Sequence, residues 1–179
     1  MNKKPRGTVI LGMGSNRSWG SLDCLSILNK AADELENVLS SMNRASFYET
    51  EAQLVKNQNP FLNTAISGFF PGSPEELLEK IHQIEAQFGR DRKIERRWGE
   101  RSLDIDILLF ENHTIITSKL VIPHPRLEER RFALEPLLEL WPKARSPLTG
   151  IPYGKICCNL PDQGVRRRLA LPRNLSTSS

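Results

Sequence analysis

The chain has 179 residues, 39% of them hydrophobic and 26% charged, enough apolar material for a packed core without disulfide or metal staples. No apolar run approaches the ~18 residues that a membrane span requires, and Met1-Asn2-Lys3-Lys4-Pro5-Arg6 leads into a segment too short for a secretory core. The net charge of +4 is concentrated at the ends: residues 1–7 carry +3 and residues 163–179 carry +4, which leaves −3 for the body and excludes a polybasic nucleic-acid face there. Of three cysteines, Cys157 and Cys158 are adjacent, which suits neither a disulfide framework nor a chelating pair. A cytoplasmic chain with no membrane and no nucleic-acid partner is expected, with residues 1–7 and 163–179 as flexible basic tails.

In chain order, Thr8 to Met13 is a short β-rich run that ends in the tight turn Gly12-Met13-Gly14-Ser15-Asn16. From Ser21 to Leu39, apolar residues recur at helical spacing. Ser46 to Thr50 predicts a strand, followed by a polar loop to Pro60 and a longer strand from Phe61 to Phe70. Ser73, with Pro74 after it and Glu75 and Glu76 in the first turn, predicts a capped helix that stops at Phe88 before Gly89. A charged loop then precedes a strand from Leu103 to Phe110, and a helix is expected over Leu127 to Leu140. The order β-α-β-β-α-β is the plan of an α+β, ferredoxin-like sandwich: a mostly antiparallel sheet with two helices packed on one face.

Four constellations carry chemistry. In Leu103-Asp104-Ile105-Asp106-Ile107, the side-chain period of two sends the apolar residues to the core and sets both aspartates on the other face, with Cα atoms about 6–7 Å apart. Two carboxylates at that distance repel each other unless a hard cation intervenes, and magnesium is commonly held by one or two carboxylates plus nucleotide phosphates. A strand with one solvated face has the same pattern; what favours a cleft floor is that Leu108 and Phe110 continue the aspartate face as apolar. The loop from Gly89 to Arg101 sums to +3 and abuts the aspartate strand, so its arginines suit phosphate oxygens, its glycines suit a closing lid, and Trp98 suits a cover or anchor. The alternative is an ordinary solvated loop. His124 and Arg130, and then Phe61 and Asn63 at strand spacing, are compatible with phosphate and flat-heterocycle binding, but equally with structural roles.

Assembled, these stretches resemble the 6-hydroxymethyl-7,8-dihydropterin pyrophosphokinase family. The matching elements appear in family order: Gly14-Ser15-Asn16, Ser46 to Thr50, Phe61-Leu62-Asn63, Ile84-Glu85 before Gly89-Arg90, Arg97-Trp98-Gly99-Glu100-Arg101 through Leu108, and Pro123-His124-Pro125-Arg126 through Phe132. The most specific is the Arg-Trp-Gly-x-Arg-x-x-Asp-x-Asp run. A single domain over residues 8–162, acting as a monomer, is expected, and the resemblance implies that it transfers pyrophosphate from ATP to a pterin alcohol in folate synthesis. It implies Asp104 and Asp106 as ligands of two Mg²⁺ ions on the ATP phosphates, and Arg92, Arg101, His124 and Arg130 as the phosphate clamp, with Trp98 on the lid. It implies Phe61 and Phe132 as the rings around the pterin, Asn63 and Thr50 on its edge, and Glu85 as a site-lining acid.

The chain departs from the family pattern in places. Glu51-Ala52-Gln53-Leu54-Val55 replaces a Pro- and Gly-containing lip, Glu100 stands where Pro is common, and the basic loop is one residue longer, which leaves the register of Arg90 and Arg92 open. Arg17-Ser18-Trp19-Gly20 replaces the usual residues after the first turn. The rival from another class, an RNA-binding ferredoxin-like module, needs exposed aromatics on a central strand in a basic-Gly-aromatic pattern that the sequence lacks.

Overall fold

The computed structural model describes residues 7–50, 59–90 and 99–168. Strand β1 (Gly7–Ser15) is followed by helix α1 (Cys24–Glu36), strands β2 (Ser40–Arg44), β3 (Phe47–Thr50) and β4 (Phe61–Phe70), and helix α2 (Pro74–Gln87). Then come β5 (Asp104–Phe110), a hairpin of β6 (Ile115–Ile116) and β7 (Val121–Ile122), a 3-10 turn at Leu127–Glu129, α3 (Arg131–Leu140), α4 (Tyr153–Asn159) and β8 (Arg166–Arg168). The helix starts follow local chemistry. Asp23 accepts the N–H of Ser26 at 2.8 Å and opens α1, three residues later than hydrophobic spacing suggests. Ser73 and Glu76 form a reciprocal capping box at α2, with Pro74 in its first turn.

The main sheet is antiparallel throughout, in the order β5-β1-β4-β3-β8, with β2 also on β4. Its first four strands, β5-β1-β4-β3, reproduce the ferredoxin-like order, with β2 and β3 sharing the edge of β4 and Ala45 between them donating its N–H to the Ala65 carbonyl of β4 at 2.9 Å. One face packs α1 and α2 around Val9, Leu11, Ile66, Leu77, Ile81 and Ile105. The other face packs α3 and α4 around Ile10, Ala65, Leu108, Leu134, Leu137 and Tyr153. The expected α+β, mostly antiparallel sheet with helices packed on it is present, and α3 and α4 add a helical layer on the face opposite α1 and α2. That layer also covers the sheet surface on which a ferredoxin-like RNA binder stacks bases.

Two expectations change. Leu108 continues the aspartate face, but Phe110 does not: Ile10 pairs with Leu109 while Leu11 pairs with Ile107, so Leu108 is an extra residue in β5. That bulge sends Leu108 and Leu109 to the α3 layer and returns Phe110 to the α1–α2 layer. At the chain's far end, Arg166–Arg168 are not tail but the edge strand β8, held by three Cα pairings to β3. Low hydrophobicity hid this strand, because its ladder bonds and ion pairs, not apolar burial, hold it. Among the described residues no helix is long and apolar enough to cross a membrane.

Candidate active site

The site lies on the α3 face, at the end of β1 where Gly12 and Gly14 offer no side chains. Gly14 pairs with Asp104 on one side and Asn63 on the other, and Gly12 pairs with Asp106 and Ala65. A Cβ on Gly14 would stand 3.1 Å from the Asn63 Oδ1, and one on Gly12 would stand 3.1 Å from Leu108 Cδ1. The two glycines thus leave a trough between the carboxylates and the amide.

Arg90 and Arg101 grip the two oxygens of Asp104, one each. Arg90 also meets Glu85, whose Oε1 accepts the N–H of Ile105 at 2.9 Å. Glu85 is only 1% exposed, so it supports the aspartate strand from beneath. Burial raises the Asp104 carboxyl, but the two guanidiniums outweigh that and hold it below its usual range. Asp106 lacks such close partners: His124 Nε2 and Arg130 Nη1 stand 3.8 and 3.9 Å from its Oδ2. Burial and the charge of Asp104 push it up to about 7. His124 Nδ1 accepts the N–H of Arg126 at 3.2 Å, and burial and Arg130 lower the imidazole to about 4, so it is neutral and its Nε2 faces Asp106.

On the β4 side, Asn63 Nδ2 donates to Thr50 Oγ1 at 2.9 Å, and both residues are buried, at 6% and 4% exposure. Asn63 Oδ1 is left facing the trough. Phe61, two residues earlier on the same face, and Phe132 in the first turn of α3 are half-buried, and the Arg130 guanidinium lies 5.5 Å from the Phe132 ring centroid. Asp106 and His124 also line a cavity of about 300 Å³ with apolar residues Leu78, Ile107, Leu120, Val121 and Pro125 and polar residues His82, Thr117, Ser118 and Lys119.

The structure thus brings together Asp104, Asp106, Arg101, His124, Arg130, Phe132, Phe61, Asn63 and Thr50. Arg92, Trp98 and the lip from Glu51 to Val55 lie outside the described residues. Sequence reasoning missed the cavity, since Leu78 and His82 look like ordinary residues on a helix flank. It also missed the tie at the loop roots. Asn16 Oδ1 accepts the N–H of Arg101 at 2.7 Å, and Asn16 Nδ2 and Asn59 Nδ2 each reach the other's carbonyl at 3.4 Å. Asn59 Nδ2 also meets Glu100 Oε1 at 3.3 Å. A polar side chain in a tight turn next to the strand was the available signal.

A model of the 7,8-dihydro-6-hydroxymethylpterin-pyrophosphokinase (HPPK) family matches residues 10–142. The chain belongs to this family. The 2-amino-4-hydroxy-6-hydroxymethyldihydropteridine pyrophosphokinase of Aquifex aeolicus is 40% identical over 141 residues, 79% of this chain and 84% of that one. The Bacillus subtilis protein of the same name is 46% identical over 96 residues, 54% of this chain and 56% of that protein. Among solved structures, the wild-type Plasmodium falciparum HPPK-DHPS superposes with a TM-score of 0.68 at 14% identity, over 88% of this chain. The chain spans 45% of that bifunctional protein, so the likeness speaks to the fold of its HPPK portion. All the described site residues of this HPPK chain lie within the matched stretch.

Proposed function

We propose that this HPPK chain transfers pyrophosphate from ATP to the hydroxymethyl group of 6-hydroxymethyl-7,8-dihydropterin, giving AMP and the pterin diphosphate. The observation that carries the reading is the trough itself: two half-buried carboxylates ringed by cations on one side, and a buried amide between half-buried rings on the other.

Asp104 and Asp106 are suited to hold Mg²⁺, and two ions are proposed. Burial first and the charge of Asp104 second push Asp106 up, so added positive charge beside the pair is favourable. Among the described residues no cluster of three or more metal-ligating side chains occurs, so the remaining ligands would be phosphate oxygens and water, the usual magnesium arrangement. Bound there by Asp104 and Asp106, the metal would offset charge that develops on the phosphates and would lower the pKa of the attacking hydroxyl.

The chain's own groups do the rest. Arg101 and Arg130 are placed to grip phosphate oxygens, Arg101 exchanging part of its hold on Asp104 for the nucleotide. Neutral His124 can donate a hydrogen bond from Nε2 toward the same phosphates. The cavity by Leu78 and His82 has mixed apolar and polar walls and the size for a nucleobase. Asn63 can both donate to and accept from a heterocycle edge, with Phe61 and Phe132 offering ring faces. Rate acceleration would come from holding the hydroxyl in line with the β-phosphorus and from fixed positive charge.

The test is product identity. With Mg²⁺, ATP and the pterin, AMP and pterin diphosphate should form in equal amounts, and chelation of the metal should stop the reaction. ADP as the product would overturn the reading.

A further inference from the structure

One cross-strand row runs the width of the sheet. Asp104 on β5 faces Gly14 on β1, Gly14 faces Asn63 on β4, Asn63 faces Tyr48 on β3, and Tyr48 faces Arg167 on β8. Residues directly opposite share one side of a sheet, so the acid at one edge and the arginine at the other both look toward α3.

There the Arg167 guanidinium donates to Ser46 Oγ at 2.7 Å and to Glu139 Oε1 at 3.0 Å. Glu139, on α3, also accepts the N–H of Ser46 at 3.1 Å, its hydroxyl at 2.8 Å and the Tyr48 hydroxyl at 2.9 Å. One carboxylate therefore gathers both chain ends of the contact, and charge-assisted bonds of this kind are about twice as strong as neutral ones. Arg168 adds a second ion pair, to Glu49 at 2.6 Å. Two residues beyond Tyr48 on the same side comes Thr50, whose hydroxyl accepts from Asn63 at 2.9 Å.

We infer that Arg167 is a positioning residue for the pterin edge: by way of Glu139 and Tyr48 it fixes β3, so that Thr50 and Asn63 are ordered before substrate arrives. This rests on the reading of Asn63 as a pterin contact. Without β8, β3 is a four-residue strand at the sheet edge, paired to β4 at only three Cα positions, and such short edges are weakly held. Ordering it on binding would cost affinity, whereas the phosphate-handling Arg101, His124 and Arg130 make no contact with Arg167 in this network.

The test uses the full chain with Arg167→Lys, Arg167→Ala and Arg167→Glu, the last of which sets two carboxylates against each other. Pterin KM should stay within about twofold in the lysine variant and rise about threefold in the alanine and about tenfold in the glutamate variant, with kcat and ATP KM within about twofold. Unchanged pterin KM in Arg167→Glu, or a joint fall of kcat and rise of both KM values with a lower Tm, overturns the positioning role. Amide exchange of residues 47–50, measured without substrate, separates the two levels of the argument. If the native chain shows no turnover but Arg167→Glu speeds that exchange, the pterin reading fails and the hold on β3 stands; if exchange is unchanged, the hold on β3 fails.

Discussion

Asn16 and Arg101 grip each other twice: the Asn16 side chain accepts the Arg101 N–H at 2.7 Å, and the Asn16 N–H donates to the Arg101 carbonyl at 3.0 Å. The first turn of the chain thus fixes the point where the basic loop rejoins the aspartate strand. Asn16 is 1% exposed, so removing its side chain strands a buried N–H. Asn16→Ala should lower stability by about 1–3 kcal/mol and reduce kcat/KM through a displaced Arg101. Asn16→Asp keeps the acceptor and should retain most of the stability. Chemical denaturation with parallel kinetics distinguishes the two variants.

Asp104→Asn and Asp106→Asn should both abolish nearly all turnover, yet they should differ in stability. The first leaves Arg90 and Arg101 facing a neutral group, so its Tm should fall. The second removes a carboxyl that burial and Asp104 already disfavour, so its Tm should hold or rise. Equal Tm changes would mean that the arginines do not bind Asp104 in solution.

The pH dependence of that difference is fixed in sign. Asp106 titrates at about 7 in the fold, above the ordinary carboxyl value, so the stability tied to its proton is complete below about 4 and lost as pH rises through 7. His124, lowered to about 4, acts in the opposite direction between about 4 and 6.5. Comparing variants cancels the histidine. Without metal, the Tm of Asp106→Asn minus that of the native chain should therefore grow from pH 5 to pH 8, and Mg²⁺ should raise the native Tm more at pH 8 than at pH 5. A difference that shrinks with pH would contradict this.

Gly89 has φ +77°, and a Cβ on it would lie 2.3 Å from the Trp19 ring. Gly89→Ala should destabilise the chain through both the left-handed backbone and the clash. Adding Trp19→Ala should recover only the clash portion, and a thermal double-mutant cycle measures it. Full recovery would show that the backbone at residue 89 is relaxed.

Much of this architecture was legible in the chain. Alternation at Leu103 to Ile107 set the aspartates on one side, and Ser73-Pro74 marked the start of α2 to the residue. Hydrophobic spacing cannot count ladder partners, so the extra residue at Leu108 stayed hidden and Phe110 was assigned to the wrong layer. Arg166–Arg168 have no apolar periodicity, and only tertiary partners on α3 and β3 make them a strand. Arg90 was recognised as a basic residue of the loop, but its partners Glu85 and Asp104 come from different elements, and sequence spacing does not report that convergence.

The extra residue in β5 has a consequence for how the protein tolerates change. The strand carries two reading frames, one that sets the acids along the trough and one that seats Phe110 under the opposite helices, and Leu108 is where they switch. Leu108→Ala should cost about 2–5 kcal/mol, as for any large core truncation. Losing the residue altogether is a different lesion, because every side chain past it would trade layers. Point substitution should leave a foldable chain, whereas single-residue deletion between Asp106 and Phe110 should leave none, so natural length variation is expected in the loops and not in this strand.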